Sequence, residues 1–589
     1  MTAIVIDSST VLADFDYHFR VFAGPGAGKT YWLVNHIRNV IRASHRITPA
    51  SYVSCISYTN VAVSEIIKGL CNASERTEVC TIHSFLYKNV VKPYLHLLKD
   101  EAGQPLVNYT LVDGHDEHRP TFTAVKGWLD SVGARLDFYG KQAEIFRYLK
   151  SLTWQHDDNT GKWSLKTMRW VKPVAYLPTS KLDSYKSFYW REGIIDHDDV
   201  LYFAYRILEE YPIACEFLSM RFPYLFIDEF QDTNPIQTQV VKWLAEQNTL
   251  VGVIGDVEQS IYSFQGAKPN DFNYFSLPGQ IDYMMNDNWR STDYIISLLN
   301  HVRGDGIAQK GLRQVAGEPV RIYIGDVKNV VPYLHSQLSP GVQLVILTRK
   351  NDEASKIRRL DSSQVDDLWD QMAGIDPNRS HFLEHLIAAG EMAKLQRYSI
   401  AITKLIRGIR MSKGVFKDPL KLNRNVTNLE RRGIAVSLMH FIVNNYSYLF
   451  HASLLDTYQQ ITKSLSATVN GLSLTAIRTG KFRDFAVSTT YGMLADALRL
   501  PDETRTTRTI HQAKSSEFSN VLVSLHDKAQ IDHIVDPQKG RSDTDAEEKR
   551  ITYVALSRAR DRLSISIPEL SEGDEKRLRE LGAEVVRLD

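Results

Sequence analysis

The chain has 589 residues, 43% of them hydrophobic and 24% charged, with 70 Lys and Arg against 69 Asp and Glu. Such a length accommodates about three to five domains, and the composition is that of an ordinary globular protein, which excludes disordered, fibrous and disulfide-scaffold classes. A net charge of +1 carries no global polyanion-binding signature, and no apolar run reaches the about 18 residues of a spanning helix, so no membrane partner is expected.

The N-terminal MTAIVIDSSTVLADFD lacks the basic start of a signal peptide. HFRVF (His18–Phe22) then reads as a buried strand, and YWLVNHIRNVI has helical spacing. Between them stands AGPGAGKT, Ala23–Thr30. A Gly-rich turn between strand and helix aims successive backbone N–H groups at one point, where the helix N-terminus adds partial positive charge, so phosphates bind. In this pattern Gly24, Gly26, Ala27 and Gly28 form the cradle with Tyr31 beside it. Lys29 reaches the β/γ-phosphates and the Thr30 hydroxyl ligates Mg2+. Ala23 stands where the strict pattern has glycine. The four cysteines (Cys55, Cys71, Cys80, Cys215) lack C-x-x-C spacing and predict reduced core thiols of a cytoplasmic protein.

Residues 90–199 read as an insertion, because Lys29 and Asp228 are 199 positions apart, too far for one sheet with short connections. HDEH (His115–His118) reads as a surface loop, and DHDD (Asp196–Asp199) as a helix cap or scaffold rather than a metal site. Between Lys141 and Glu192, ten Lys/Arg face five acids, interleaved with Trp154, Trp163, Trp170 and Trp190. Cations neutralise phosphates and aromatic faces accept stacked bases; the alternative is a solvated face over an aromatic core.

Tyr224–Ile227 is an apolar run of the central-strand kind, ending in Asp228 and Glu229. Strand side chains alternate in direction, so the two acids do different work: one holds Mg2+, the other polarises the attacking water. Strand-like EPVRIYIGD (318–326) and GVQLVILTRKN (341–351) begin a second series, which RTIHQ (508–512) and NVLVSLH (520–526) resume. Between these the chain turns helical, with eleven Lys/Arg and two acids from Lys394 to Arg432. The simplest parse is α/β: two P-loop cores, 1–89 with 200–285 and 286–354 with 500–589, interrupted by largely helical insertions at 90–199 and 355–499.

The motif order resembles superfamily 1A DNA helicases of the UvrD/Rep/PcrA type, from residue 22 to about 567. SYTNVAVSEIIKGL (57–70) resembles TxTNxAAxEM, and TIHSFLYK (81–88) resembles TFHSL. GDVEQSIYSFQGA (255–267) is similar to GDxxQSIYxFRGA, and NWRS (288–291) to NYRS. TIHQAKSSEF (509–518) resembles TxHxAKGLEF, and EEKRITYVALSRAR (547–560) resembles EERRLxYVAxTRAR. The resemblance implies a fold of two RecA-like cores. It implies that Gln259 senses the γ-phosphate and that Arg290 and Arg558 reach it as arginine fingers do. Trp289 would stack on the base and Glu517 meet the ribose. Thr59, Asn60, His83, Tyr262, Phe264 and His511 would contact single-stranded DNA, with Phe264 either stacking on a base or filling the core. Three departures stand out. Gln265 replaces an arginine, Ser515-Ser516 replaces Gly-Leu, and no glutamine precedes the phosphate turn to read adenine, the first being Gln104.

The expected activity is an ATP-dependent motor on single-stranded and duplex DNA, with the family's 3′–5′ direction. The competing expectation is a nucleotide-gated DNA-binding subunit that regulates a protein partner such as a nuclease. In size and motif set the chain resembles compact helicase-like components of anti-phage systems such as Gabija, without a nuclease or partner-binding tail after the last motif.

Overall fold

Seven strands form one parallel sheet: β1 (Ile4–Ile6), β2 (Phe19–Ala23), β3 (Val53–Ile56), β4 (Thr77–Cys80), β5 (Tyr224–Ile227), β6 (Leu250–Gly255) and β7 (Ile281–Met285). Their order is β1-β7-β2-β6-β5-β3-β4, parallel throughout. β3, β5 and β6 are buried at every position, as expected for strands covered on both faces. Because β6 lies between β2 and β5, the loops leaving these three carboxyl ends converge, the usual ligand position in an open α/β sheet. Helix α1 (Lys29–Ala43) buries Trp32, Leu33, Ile37 and Val40 in the core with Phe19, Val21 and Phe226. Helix α2 (Asn60–Leu70) is capped by the Thr59 side chain, which accepts from the Ala62 N–H.

The computed structural model describes residues 3–588 apart from 117, 119, 135, 158–159, 168–170, 264–265, 340–341, 351–352, 355, 358–367, 395, 413, 499–505 and 539–542. The chain forms two compact units, Met1–Asp326 with Ala513–Asp589, and Val327–Gln512. The first also contains a parallel sheet of β8 (Arg321–Ile324), β9 (Phe518–Ser524), β10 (Ala559–Ile567) and β11 (Glu584–Arg587), in the order β9-β10-β8-β11. The second pairs Val345–Thr348 in parallel with Thr507–Thr509 and is otherwise mostly helical, with Asn428–His451 as its longest described helix. Among the described residues no helix is long and apolar enough to cross a membrane.

Residues 90–199 contain the helices Phe122–Ser131, Gln142–Lys150 and Leu182–Trp190 and an antiparallel hairpin, Leu152–Asp157 with Lys162–Thr167. Here the structure decides between the alternatives that the sequence leaves open. Trp154 and Trp190 are core residues: both indole N–H groups donate to Asp199, at 3.0 and 3.1 Å, and Trp154 stacks on Tyr202 with ring centres 4.0 Å apart. No face of theirs is open to a base. Trp163 is half-buried, and Trp170 lies outside the described residues. The HDEH loop is anchored by its two histidines. His118 Nδ1 lies 2.9 Å from the Asp196 carboxylate and His115 meets His197 at 2.7 Å. Asp196 caps the helix His197–Glu210 in a capping box with Asp199, as the DHDD spacing predicts. Wholly buried Lys186 joins both carboxylates, so one expected cation is used internally. Of the cysteines, Cys55 and Cys215 are buried, Cys80 is intermediate, and Cys71 is exposed rather than a core thiol.

Candidate functional site: a phosphate turn facing paired acids and arginines

The turn after β2 adopts the conformation its glycines allow. Gly26 (φ 72°) and Gly28 (φ 83°) are left-handed, and Gly28 is the N-cap of α1. A Cβ on Gly26 would lie 2.7 Å from Arg290 Cβ, and one on Gly28 would lie 2.6 Å from Ser8 Cβ, so both positions are closed to larger residues. Ala27 is buried, and the side chains of Lys29 and Thr30 follow in the first helical turn, with Tyr31 exposed. A cation at a helix N-terminus opposes the macrodipole. Lys29 is held there by the Ala23 carbonyl (3.3 Å) and the Glu229 carboxylate (3.8 Å), so its place serves the turn rather than the helix.

Asp228 and Glu229 follow β5. Asp228 is buried, and its Oδ1 has no hydrogen-bond partner. Burial, reinforced by the adjacent Glu229 charge and opposed by Lys29, pushes its carboxyl up to about 7. Glu229 shifts the other way: although burial raises it, Lys29 and then Lys514 hold it well below the usual glutamate range. The two carboxyls are thus separated in proton affinity, the pattern of a pair with different roles. Glu229 also takes a left-handed backbone (φ 57°), a strained state for a non-glycine residue, and Gln231 Nε2 donates to its carboxylate.

Opposite these acids, Arg558 Nη2 donates to Gln259 Oε1 at 2.8 Å, and Gln259 Nε2 donates to Asp256 Oδ2 at 2.7 Å. Arg558 is buried, and burial together with nearby Arg290 lowers its guanidinium to about 9. Arg290 Nε donates to Glu517 at 2.7 Å and its Nη1 to the Ser557 carbonyl at 3.1 Å. Trp289 is 52% exposed, an open ring rather than a core one, and its backbone N–H donates to the Gly26 carbonyl at 2.8 Å. Asn288 and Gln309 reach the Pro25 carbonyl at 3.1 and 2.9 Å and brace the turn. Lys29, Asp228, Glu229, Gln259, Arg290, Arg558, Trp289 and Glu517 therefore belong to one linked constellation.

The residues expected to contact DNA are less uniform. Thr59 is a helix cap, and Asn60 begins α2. Tyr262 is mostly buried and stacks on Tyr58, ring centres 4.5 Å apart, so its face is already used. His83 sits beside His197, and burial, then the neighbouring His197 and His115, lower it to about 3; it is neutral and offers a hydrogen bond rather than a charge. His511 lies on the short helix Ile510–Ala513. Phe264 and Gln265 lie outside the described residues. The turn at Ser515 forms without the family's glycine, with Ser515 left-handed at φ 65°.

Two buried partnerships inside or near the motifs escape a reading of the sequence. Lys514 Nζ contacts Asp232 Oδ2 at 2.5 Å and the Gln259 carbonyl at 2.6 Å. Arg303 forks onto Asp256 at 3.0 and 3.2 Å. Lys514 and Asp232 each lie next to recognisable motif residues, but their partnership spans 282 positions and has no local signal. Among the described residues no cluster of three or more His, Cys, Asp or Glu forms a metal site.

Residues 7–278 match the UvrD/REP helicase N-terminal domain and residues 503–569 the UvrD-like helicase C-terminal domain, together more than half of the chain. The chain is similar to the Gabija protein GajB of Bacillus cereus, 25% identical over 347 residues that cover 52% of this chain and 50% of that protein. It is similar to the putative ATP-dependent DNA helicase YjcD of Bacillus subtilis, 24% identical over 94% of this chain and 77% of YjcD. DNA helicase II of Salmonella typhimurium is 26% identical over 57% of this chain and 46% of that helicase. Apart from YjcD, the chain spans half or less of the length of these relatives.

Proposed function

The chain belongs to the UvrD-like helicases, and we propose that it is a cytoplasmic ATP-dependent motor that moves on single-stranded DNA, 3′ to 5′, and separates strands. The observation that carries this reading is the convergence of Lys29, Glu229, Gln259 and Arg558 beside the phosphate turn. Gly24 to Thr30 bind the phosphates, Glu229 takes a proton from the attacking water, and Arg290 and Arg558 spread charge that develops in the transition state. Trp289 stacks on the base and Glu517 takes the ribose. The donor set fits Mg2+: the unpartnered, buried Asp228 Oδ1 and the Thr30 hydroxyl are hard oxygen ligands. Such an ion supplies charge neutralisation at the phosphates.

The test is hydrolysis of ATP with and without oligodeoxythymidylate, together with displacement of a strand from duplexes carrying a 3′ or a 5′ tail. DNA-stimulated hydrolysis and unwinding from the 3′ tail are expected; hydrolysis indifferent to DNA overturns the reading. The similarity to GajB favours one alternative, a nucleotide-gated DNA-binding subunit of a defence complex with a nuclease partner. That alternative predicts stimulated hydrolysis without strand displacement by the lone protein.

A further inference from the structure

Lys514 is 2% exposed, yet its ammonium makes contacts in three directions. It meets Asp232 Oδ2 at 2.5 Å, donates to the Gln259 carbonyl at 2.6 Å, and lies 4.8 Å from the centre of the Tyr262 ring. Each leads somewhere different. Gln259 carries the Arg558 contact and, through Asp256, the Arg303 fork. Asp232 ends the short turn Phe230–Asp232 that follows Glu229, in which Gln231 bonds the Glu229 carboxylate. Tyr262 stacks on Tyr58, the residue before the Thr59 cap of α2.

We propose that Lys514 is a positioning residue that couples the Tyr58–Tyr262 aromatic pair to the hydrolytic centre, so that what lies against the pair sets the placement of Gln259 and Glu229. The physical basis is the cost of leaving any of the three contacts. A buried ammonium without its carboxylate, or a buried carboxylate without its ammonium, is strongly unfavourable. Lys514 therefore follows Asp232 and Gln259 as a unit, and a shift of the Tyr262 ring is transmitted to both. The inference rests on the proposed DNA-stimulated hydrolysis.

The experiment measures kcat and KM for ATP, without DNA and with saturating oligodeoxythymidylate, in the full chain and in Lys514→Met, Tyr262→Leu and the double variant. In Lys514→Met the stimulation ratio should fall by about fivefold or more, the lower end of coupling between linked sites. The ratio in the double variant should equal that of the more affected single one, since the two act in series. Circular dichroism checks folding, and Asp232→Asn, which keeps the shape and removes the counter-charge, decides the matter if Lys514→Met does not fold. Its ratio should also fall. A ratio equal to wild type in a folded Lys514→Met or Asp232→Asn protein, or single-variant losses that multiply, overturns the inference. A wild-type protein without DNA stimulation overturns the proposed function itself.

Discussion

Arg290 Nε donates to the Glu517 carboxylate at 2.7 Å, tying a residue packed against Gly26 of the phosphate turn to one 227 positions later. The resemblance assigns these two side chains to opposite ends of the nucleotide, and the geometry joins them directly. The Glu517 side chain is 47% exposed, so the pair itself is worth only about 0–1 kcal/mol of stability. Glu517→Ala should therefore leave the unfolding midpoint nearly unchanged. Its KM for ATP should rise about tenfold, the worth of one hydrogen bond to a charged group. Steady-state kinetics beside a urea titration tests this; a large stability loss with unchanged KM would show a purely structural role.

Lys29→Ala should abolish hydrolysis and unwinding while the chain stays folded, because Lys29 is the one lysine in the helix Lys29–Ala43 that follows the phosphate turn. Glu229→Gln should still bind nucleotide but turn it over at least about 100-fold more slowly, as the water loses its base. Near-normal turnover in Glu229→Gln would move the base elsewhere, with Asp228 the next candidate.

Asp228 and Asp232 should each make stability depend on pH in a direction that their raised carboxyls set. Asp228 and Asp232 are both pushed up to about 7, chiefly by burial and then by Glu229. In the unfolded chain aspartate titrates near about 3.9. Between these values the folded state holds protons that the unfolded state has released, so stability falls as pH rises through that window. Glu229, lowered in the folded state, contributes stability that is lost only at lower pH, as it is protonated, and is constant here. Buried histidines such as His83, lowered to about 3, act in the opposite direction over the same window, so the readout is a difference: free of nucleotide and divalent cations, the urea midpoint of wild type relative to that of Asp228→Asn should drop between pH 5 and 7.5. Mg2+ should restore the midpoint at pH 7.5. A wild-type profile parallel to that of Asp228→Asn contradicts the assignment.

Ser515→Gly should stabilise the chain. A left-handed backbone costs a non-glycine residue about 1–2 kcal/mol, and the Ser515 hydroxyl is buried without a partner. Glycine's greater freedom in the unfolded chain returns about 0.5–1 kcal/mol of that, so the net gain should be up to about 1.5 kcal/mol. A lower unfolding midpoint in the variant would mean that the serine is held by something other than its backbone.

Nucleotide choice should be loose. An amide pairing bidentately with adenine gives about 1–3 kcal/mol of base discrimination, and no glutamine precedes the phosphate turn. The exposed Trp289 ring stacks on any base. GTP and dATP should support DNA-stimulated hydrolysis within about tenfold of ATP in kcat/KM. A GTP value more than about 100-fold lower would reveal another group that reads adenine.

The features that are legible in the sequence by itself are those whose physics is local. A strand, a Gly-rich turn and a helix start are written in consecutive residues, so the Gly24–Thr30 cradle follows from AGPGAGKT alone, and two acids at the end of an apolar run place Asp228 and Glu229. The DHDD cap is legible for the same reason, since a capping box spans four residues. Periodicity, however, says which face of an element is apolar and not what covers it. Trp154 and Trp190 fit an open platform as well as a core in the linear chain, and it is Asp199 and Tyr202 that close over them. Arg558 meets Gln259 across 299 positions, and Lys514 meets Asp232 across 282. A buried charge is tolerated only beside its partner, and the partner is chosen by which strand lies next to which, a property of the assembled sheets and of no single segment.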